Sequence, residues 1–196
     1  MAEGQPLLDF LEDMRRLRRD CPWKREQTHR SLARYLQEET AETLEAIDTG
    51  DTDHLREELG DLLLQVYFHA VIAEETGAFT LDDVARGIAT KMHRRNPHVF
   101  GPGGDSSELS AAEVDAQWQE IKQREKPRRS PYDGIAPGLS ALLLATKVLE
   151  RVPDTEPAAA SDDLGDRLLA LVREAVAEGT DPEQALRDAV RRVVPR

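Results

Sequence analysis

The chain has a single cysteine, Cys21, in 196 residues. An intrachain disulfide is excluded, and a reducing compartment, the cytoplasm, is the expected setting. Long apolar runs are missing. None approaches the roughly 20 residues that span a bilayer, so no membrane partner is expected. No basic stretch followed by an apolar one opens the chain, and no signal peptide is expected. Positive charge is in deficit: 26 Lys and Arg face 38 Asp and Glu, a formal net charge of -12. That balance argues against nonspecific attachment to nucleic acid or to anionic lipid. Strict alternation of apolar and polar residues is not found, so strands are not expected. Cys/His zinc spacing, a GxxxxGK[ST] loop and a GxGxxG turn are all missing as well.

What is present suits a helix-rich globular protein with 39% hydrophobic and 33% charged residues. The length allows one good core or two small ones. Leu7, Phe10, Leu11, Met14 and Leu17 recur at helical spacing over about 7–18, and Cys21-Pro22-Trp23 breaks that helix. A second helix is expected over about 31–48 and a third over about 53–75, with an N-cap in the turn between them. The third is apolar nearly all round from Leu62 to Ala73, so it is expected at the centre. Thr80 and Asp83 read as a capping box for a fourth helix, with Val84, Ile88 and Met92 as its stripe. A loop rich in Gly, Pro and Ser follows over 96–109. Ser110 and Glu113 read as the capping box of a fifth helix carrying Trp118. A linker over 126–137, a helix over about 139–151 and a second linker, 153–160, come next. The chain reads as all-α.

The informative pattern is a pair of acidic motifs, Glu38-Glu39-x-x-Glu42 and Glu58-Leu-Gly-Asp61. Acids three residues apart project from one helix face. Two such helices packed together aim Glu39, Glu42, Glu58 and Asp61 at one small volume. Leu32, Tyr35, Leu36, Ala46 and Ile47 mark the core stripe of the second helix, and Glu39 and Glu42 fall inside it. Acids in core positions need a compensating cation. Ligation by oxygen alone points to Mg²⁺, with Mn²⁺ as a substitute. Because Mg²⁺ also binds phosphate oxygens, a phosphorylated substrate is the natural partner.

Lys91, Arg94 and Arg95 offer an anion-binding side, or else a solvated helix end where cations favour the dipole. Trp23 and Trp118 read as base-stacking platforms or as packing residues. The five histidines form no ligand pair at convincing spacing, and His69 reads as a core histidine. The tail contains a repeat: Glu58-Leu-Gly-Asp61-Leu-Leu-Leu recurs as Asp163-Leu-Gly-Asp166-Arg-Leu-Leu, with no counterpart of the 38–42 motif before it. Three segments are expected on this basis: a domain over 1–126, a linker with one helix over 127–160, and half of a duplicated domain over 161–196.

The run from Cys21 to Leu32, both acidic motifs, the segment Lys91 to Gly101 and the Trp118 to Lys122 segment resemble the MazG nucleoside triphosphate pyrophosphohydrolases. The resemblance covers about residues 7–126 in order. It implies a helical bundle, dimeric or higher, that hydrolyses nucleoside triphosphates to monophosphate and pyrophosphate with Mg²⁺. It implies Glu39, Glu42, Glu58 and Asp61 as metal ligands and Glu38 as a ligand or water-orienting base. Lys91 and Arg95 would hold phosphates, with Arg94 beside them, and Trp118 would lie near the nucleotide. The chain departs from the common pattern at Lys24 (often Asp), Ala41 (often Tyr), His54 (often Lys) and Asn96 (often His). Two alternatives stay open, with phosphoribosyl-ATP hydrolysis as a more remote third. One is a narrow-substrate enzyme acting on a modified or deoxynucleotide. The other is a noncatalytic helical binding partner, to which the half-lost tail lends weight.

Overall fold

Prolines and capping side chains set the helix boundaries in this computed structural model, which describes residues 3–102, 109–125, 129–152 and 163–194. All regular structure among the described residues is helical. The chain divides into two compact units, Met1–Ser110 and Ala111–Arg196.

In the first unit, α1 (Gln5–Asp20) has Pro6 in its first turn and ends where Cys21 turns extended. Pro22 then opens a short helix, α2 (Pro22–Glu26), where only a break is expected from the sequence. Proline at a helix start loses no hydrogen bond, because that N–H has no intrahelical partner anyway. Helix α3 (His29–Thr49) is capped by Thr28 and Ser31, each accepting from the other's backbone N–H, at 3.1 and 2.9 Å. Gly50, at φ +72°, ends it in the left-handed region that suits glycine. Asp51 accepts from the N–H groups of Asp53 and His54, both at 3.0 Å, and starts α4 (Thr52–Glu75). Thr80 and Asp83 form the expected box for α5 (Leu81–Arg95). The short α6 (Pro97–Phe100) again opens on proline, inside a stretch expected to be loop.

The core of this unit joins Leu11 and Met14 of α1, Leu32 of α3 and Tyr67, Phe68, Val71 and Ile72 of α4. The C-terminal half of α4 is therefore the buried one. Upstream of that core, α4 leaves Leu59, Leu63 and Val66 exposed, and α3 likewise exposes Leu36, Leu44 and Ile47. Of the stripe expected on α3, Leu32 and Ala46 are buried, while Leu36 and Ile47 face outward.

Polar contacts tie α1 to the end of α4. Arg15 donates to Glu74 at 2.7 Å, and buried Arg18 grips Glu75 through two bonds of 2.7 and 2.5 Å. The Arg18 guanidinium also donates to the carbonyls of Lys24 and Gln27, which fixes α2 against α1. His29 and His69 stack, with their Nδ1 atoms 2.7 Å apart, so one ring donates and the other accepts. Burial first, and then the charge of His29, holds His69 below the ordinary histidine range.

The second unit contains α7 (Ala111–Glu125), α8 (Ala141–Leu149), α9 (Leu164–Ala177) and α10 (Pro182–Val193). Helices α8, α9 and α10 pack on one another around buried Leu149 and Val172. Ser140 starts α8 and donates to Glu183 of α10 at 2.6 Å. In the tail repeat, Asp163 is the N-cap of α9, accepting from the N–H groups of Gly165 and Asp166. The linker expected over 153–160 lies outside the described residues.

Candidate metal centre

Helices α3 and α4 form a hairpin through the Gly50-Asp51 turn, and the acidic motifs face each other across it. One carboxylate oxygen each from Glu39, Glu58 and Asp61 lies within 4.8 Å of the other two. Glu58 and Asp61 meet because they are one turn apart on α4. Glu39 comes from the neighbouring helix, where Thr43, one turn on, is buried with its hydroxyl bonded to the Glu39 carbonyl at 2.7 Å. Glu58 is 7% exposed, while Glu39 and Asp61 are half-buried.

This grouping is electrostatically costly as it stands. The Glu39 carboxyl is held above the ordinary carboxylate range, first by burial and then by the charges of Asp61, Glu42, Glu58 and Glu38. One Glu58 oxygen takes a bond of 2.9 Å from His54 Nε2, one turn earlier on α4. The other, Oε2, is buried with no hydrogen-bond partner. A buried carboxylate oxygen normally finds a donor or a cation. An orphaned oxygen beside two further carboxylates therefore fits a hard divalent cation, for which oxygen-only ligation is the usual chemistry.

The two remaining acids of the first motif, Glu38 and Glu42, lie on the exposed side of α3, outside this trio. Glu42 still contributes to the field on Glu39, and the Arg34 guanidinium is held above its ordinary range first by its bond with Tyr35 and only last by the charge of Glu38. On α5, which packs against α4, Lys91 is half-buried, Arg94 exposed and Arg95 buried. Among the described residues Lys91 has no ion-pair partner. Trp118 belongs to the second unit, where the Lys122 ammonium lies 5.0 Å from its ring centroid.

His54 is the residue at this centre that the acid spacing does not reveal. Its position four residues before Glu58 is the signal that marks it, since that spacing puts the imidazole over the carboxylate.

A family model of the MazG nucleotide pyrophosphohydrolase domain matches residues 27–100, which include every acid of the trio. Over 203 residues the chain is 39% identical to the nucleoside triphosphate pyrophosphohydrolase/pyrophosphatase MazG of Thermotoga maritima, covering 90% of this chain and 77% of that protein. It is 49% identical over 150 residues to a nucleoside triphosphate pyrophosphohydrolase of Mycobacterium tuberculosis, but spans only 45% of that protein's length. An uncharacterized 26.1 kDa protein of Streptomyces cacaoi is 44% identical, with 95% of this chain and 78% of that one covered. The crystal structure of a MazG-related protein from Thermotoga maritima superposes with a TM-score of 0.50 at 28% identity, over 61% of this chain and 98% of that one. With its acid trio inside the matched segment and most of the Thermotoga maritima enzyme's length covered at this identity, the chain belongs to the MazG nucleotide pyrophosphohydrolase family.

Proposed function

We propose that the chain hydrolyses nucleoside triphosphates to nucleoside monophosphate and pyrophosphate, with Mg²⁺ (or Mn²⁺ in its place) held by Glu39, Glu58 and Asp61, and with Glu42 as a further ligand. The observation that carries this reading is the trio itself, in which a buried Glu58 oxygen has no protein partner. A hard divalent cation there neutralises triphosphate charge and polarises phosphoryl oxygens. The chain's own groups do the rest. Water adds its oxygen to phosphorus as the bridging P–O bond between the α and β phosphates breaks, and pyrophosphate departs. Glu38, solvent-exposed on α3 next to Glu39, takes the water's proton. Lys91 and Arg95, with Arg94 beside them, offset the charge gathering on the pyrophosphate. His54 holds Glu58 by one oxygen and leaves the other free. Trp118 contributes to holding the nucleotide.

The outward-facing Leu36, Leu44 and Ile47 of α3 and Leu59, Leu63 and Val66 of α4 support a homodimer or higher homo-oligomer, because rows of apolar side chains on a helical hairpin favour burial against a like surface. Among the described residues no helix is long and apolar enough to cross a membrane. The net charge of -12 supports a protein that does not bind nucleic acid, and the lone Cys21 supports a reducing cytoplasm.

The test is pyrophosphate release from a panel of ribo- and deoxynucleoside triphosphates, with Mg²⁺ and with EDTA. Metal-dependent formation of pyrophosphate and monophosphate is expected. Orthophosphate as the product, or turnover undiminished in EDTA, refutes the proposal.

A further inference from the structure

One row of side chains on α4 runs through the acid trio and into the core: Glu58, Asp61, Gln65, Phe68 and Ile72, at steps of three and four residues. Polarity falls along it, from carboxylates to an amide to a ring and a branched chain. Gln65 is the middle step. It is 4% exposed, more deeply buried than Glu58, and Phe68 beyond it is 2% exposed. Its place in the row puts its Cβ about 5–6 Å from that of Asp61.

The amide of Gln65 has no use inside the fold. Its Oε1 is buried without a hydrogen-bond partner, as Glu58 Oε2 is. Among the described residues its side chain makes no hydrogen bond at all. A methionine would fill the same space without leaving a polar atom dry. Buried oxygens find donors in nearly all folded proteins, so an orphan marks a missing partner. Here two orphans, both oxygens, bracket Asp61 on one helix row. Such acceptors need a cation or O–H and N–H groups. The row before Gln65 supplies neither: Glu58 and Asp61 are themselves acceptors, and His54 gives its Nε2 proton to Glu58. A bare cation suits the charged carboxylates. The neutral amide one turn farther suits a water on that cation, because Mg²⁺ keeps several waters when carboxylates bind it and those waters are donors.

We infer that Gln65 is a positioning residue of the metal centre, its amide oxygen accepting from a water carried by the cation that Glu39, Glu58 and Asp61 hold. The inference rests on reading the trio as a cation site. It extends that centre one helical turn past Asp61 toward the core. It also accounts for an amide at the point where the row turns apolar. Outer partners of this kind set metal affinity by roughly 10- to 100-fold.

The experiment is titration of the metal-stripped full chain with Mn²⁺, read by loss of the free ion's electron paramagnetic resonance signal, with thermal melts in EDTA alongside. Gln65→Met keeps the length of the side chain and removes the acceptor. Gln65→Glu keeps an acceptor. Gln65→Met should bind Mn²⁺ about tenfold more weakly or worse. Its melting temperature in EDTA should equal the parent's or exceed it, because a buried acceptor without a donor is gone. Gln65→Glu should bind Mn²⁺ within about threefold of the parent, or more tightly, since an acceptor remains. It should melt lower in EDTA, because it adds a carboxylate beside the trio. A merely structural amide gives the opposite pattern for Gln65→Met: a lower melt and unchanged Mn²⁺ binding. Either of those results overturns the inference and leaves the trio as a cation site. A loss of Mn²⁺ binding in Gln65→Glu as large as in Gln65→Met also overturns it, because the acceptor is then not what counts. A parent that takes up no Mn²⁺ overturns both readings.

Discussion

Replacing Glu58 by Gln should make the metal-free protein more stable and the metal-bound protein less so. At 4.8 Å, two carboxylates repel by about 3.5 kcal/mol at an effective dielectric constant of 20. Glu39 and Asp61 are only half-buried, so solvent screens much of this, and about 1–2 kcal/mol of relief is a fair expectation. The substitution keeps the acceptor for His54 and puts an uncharged amide N–H₂ where Oε2 has no partner. In EDTA the melting temperature of the first unit should therefore rise by roughly 3–8 °C. Mg²⁺ at a hundred times its dissociation constant adds about 2.7 kcal/mol to the parent by mass action. The variant, having lost a charged ligand, should gain far less, and its pyrophosphate release should fall at least a hundredfold. Scanning calorimetry of both proteins in EDTA and in a Mg²⁺ series reads all of this. If Glu58→Gln melts below the parent in EDTA, Glu58 is a structural acid satisfied by His54, and the metal reading of the trio fails.

Three other substitutions probe the phosphate side, the scaffold and the pH response. Lys91→Ala should lower kcat/KM for nucleoside triphosphates by about 10- to 100-fold, equivalent to about 1.4–2.7 kcal/mol, with melting unchanged; steady-state kinetics showing less than a twofold loss removes Lys91 from the site. Arg18→Ala strands the Lys24 and Gln27 carbonyls and frees Glu75, at a cost of about 2–3 kcal/mol by urea unfolding; a cost under about 0.5 kcal/mol would mean that this anchor is idle. His69 has a folded pKa below its unfolded value, so between the two the unfolded chain binds the extra proton. Its contribution to stability is complete above about pH 6.5 and is lost as pH falls below that. Melting temperature should accordingly decline on acidification from pH 7, and His69→Gln should flatten the decline; identical slopes in the two proteins would refute the assignment.

Much of this arrangement could be read from local spacing. Glu58 and Asp61 meet because they are three residues apart on one helix, and the Gly50-Asp51 turn returns α4 alongside α3, which brings in Glu39. Periodicity was a weaker guide to what is buried. Leu36 and Ile47 have the spacing of core residues yet face outward, because apolar spacing reports that a face wants cover, not that the same chain supplies it. Glu42, also at core spacing on α3, is exposed too. The one-turn helices α2 and α6 escape a periodicity reading because they are shorter than a repeat, although Pro22 and Pro97 at their first positions are the sign of a start. The His29–His69 pair spans forty positions and exists only once α3 and α4 are packed, so no local pattern could announce it.

The two copies of the Leu-Gly-Asp repeat put their leading acids to different uses. Glu58 is the seventh residue of its helix, past the first turn, where every backbone N–H already has a partner and its carboxylate is left for something else. Asp163 stands one step before its helix, and its oxygen is consumed by the amides of Gly165 and Asp166. Where the helix starts, not which letters are written, decides the use of the carboxylate. The same short spelling can in this way leave a carboxylate buried on one helix and spend it as a cap on another.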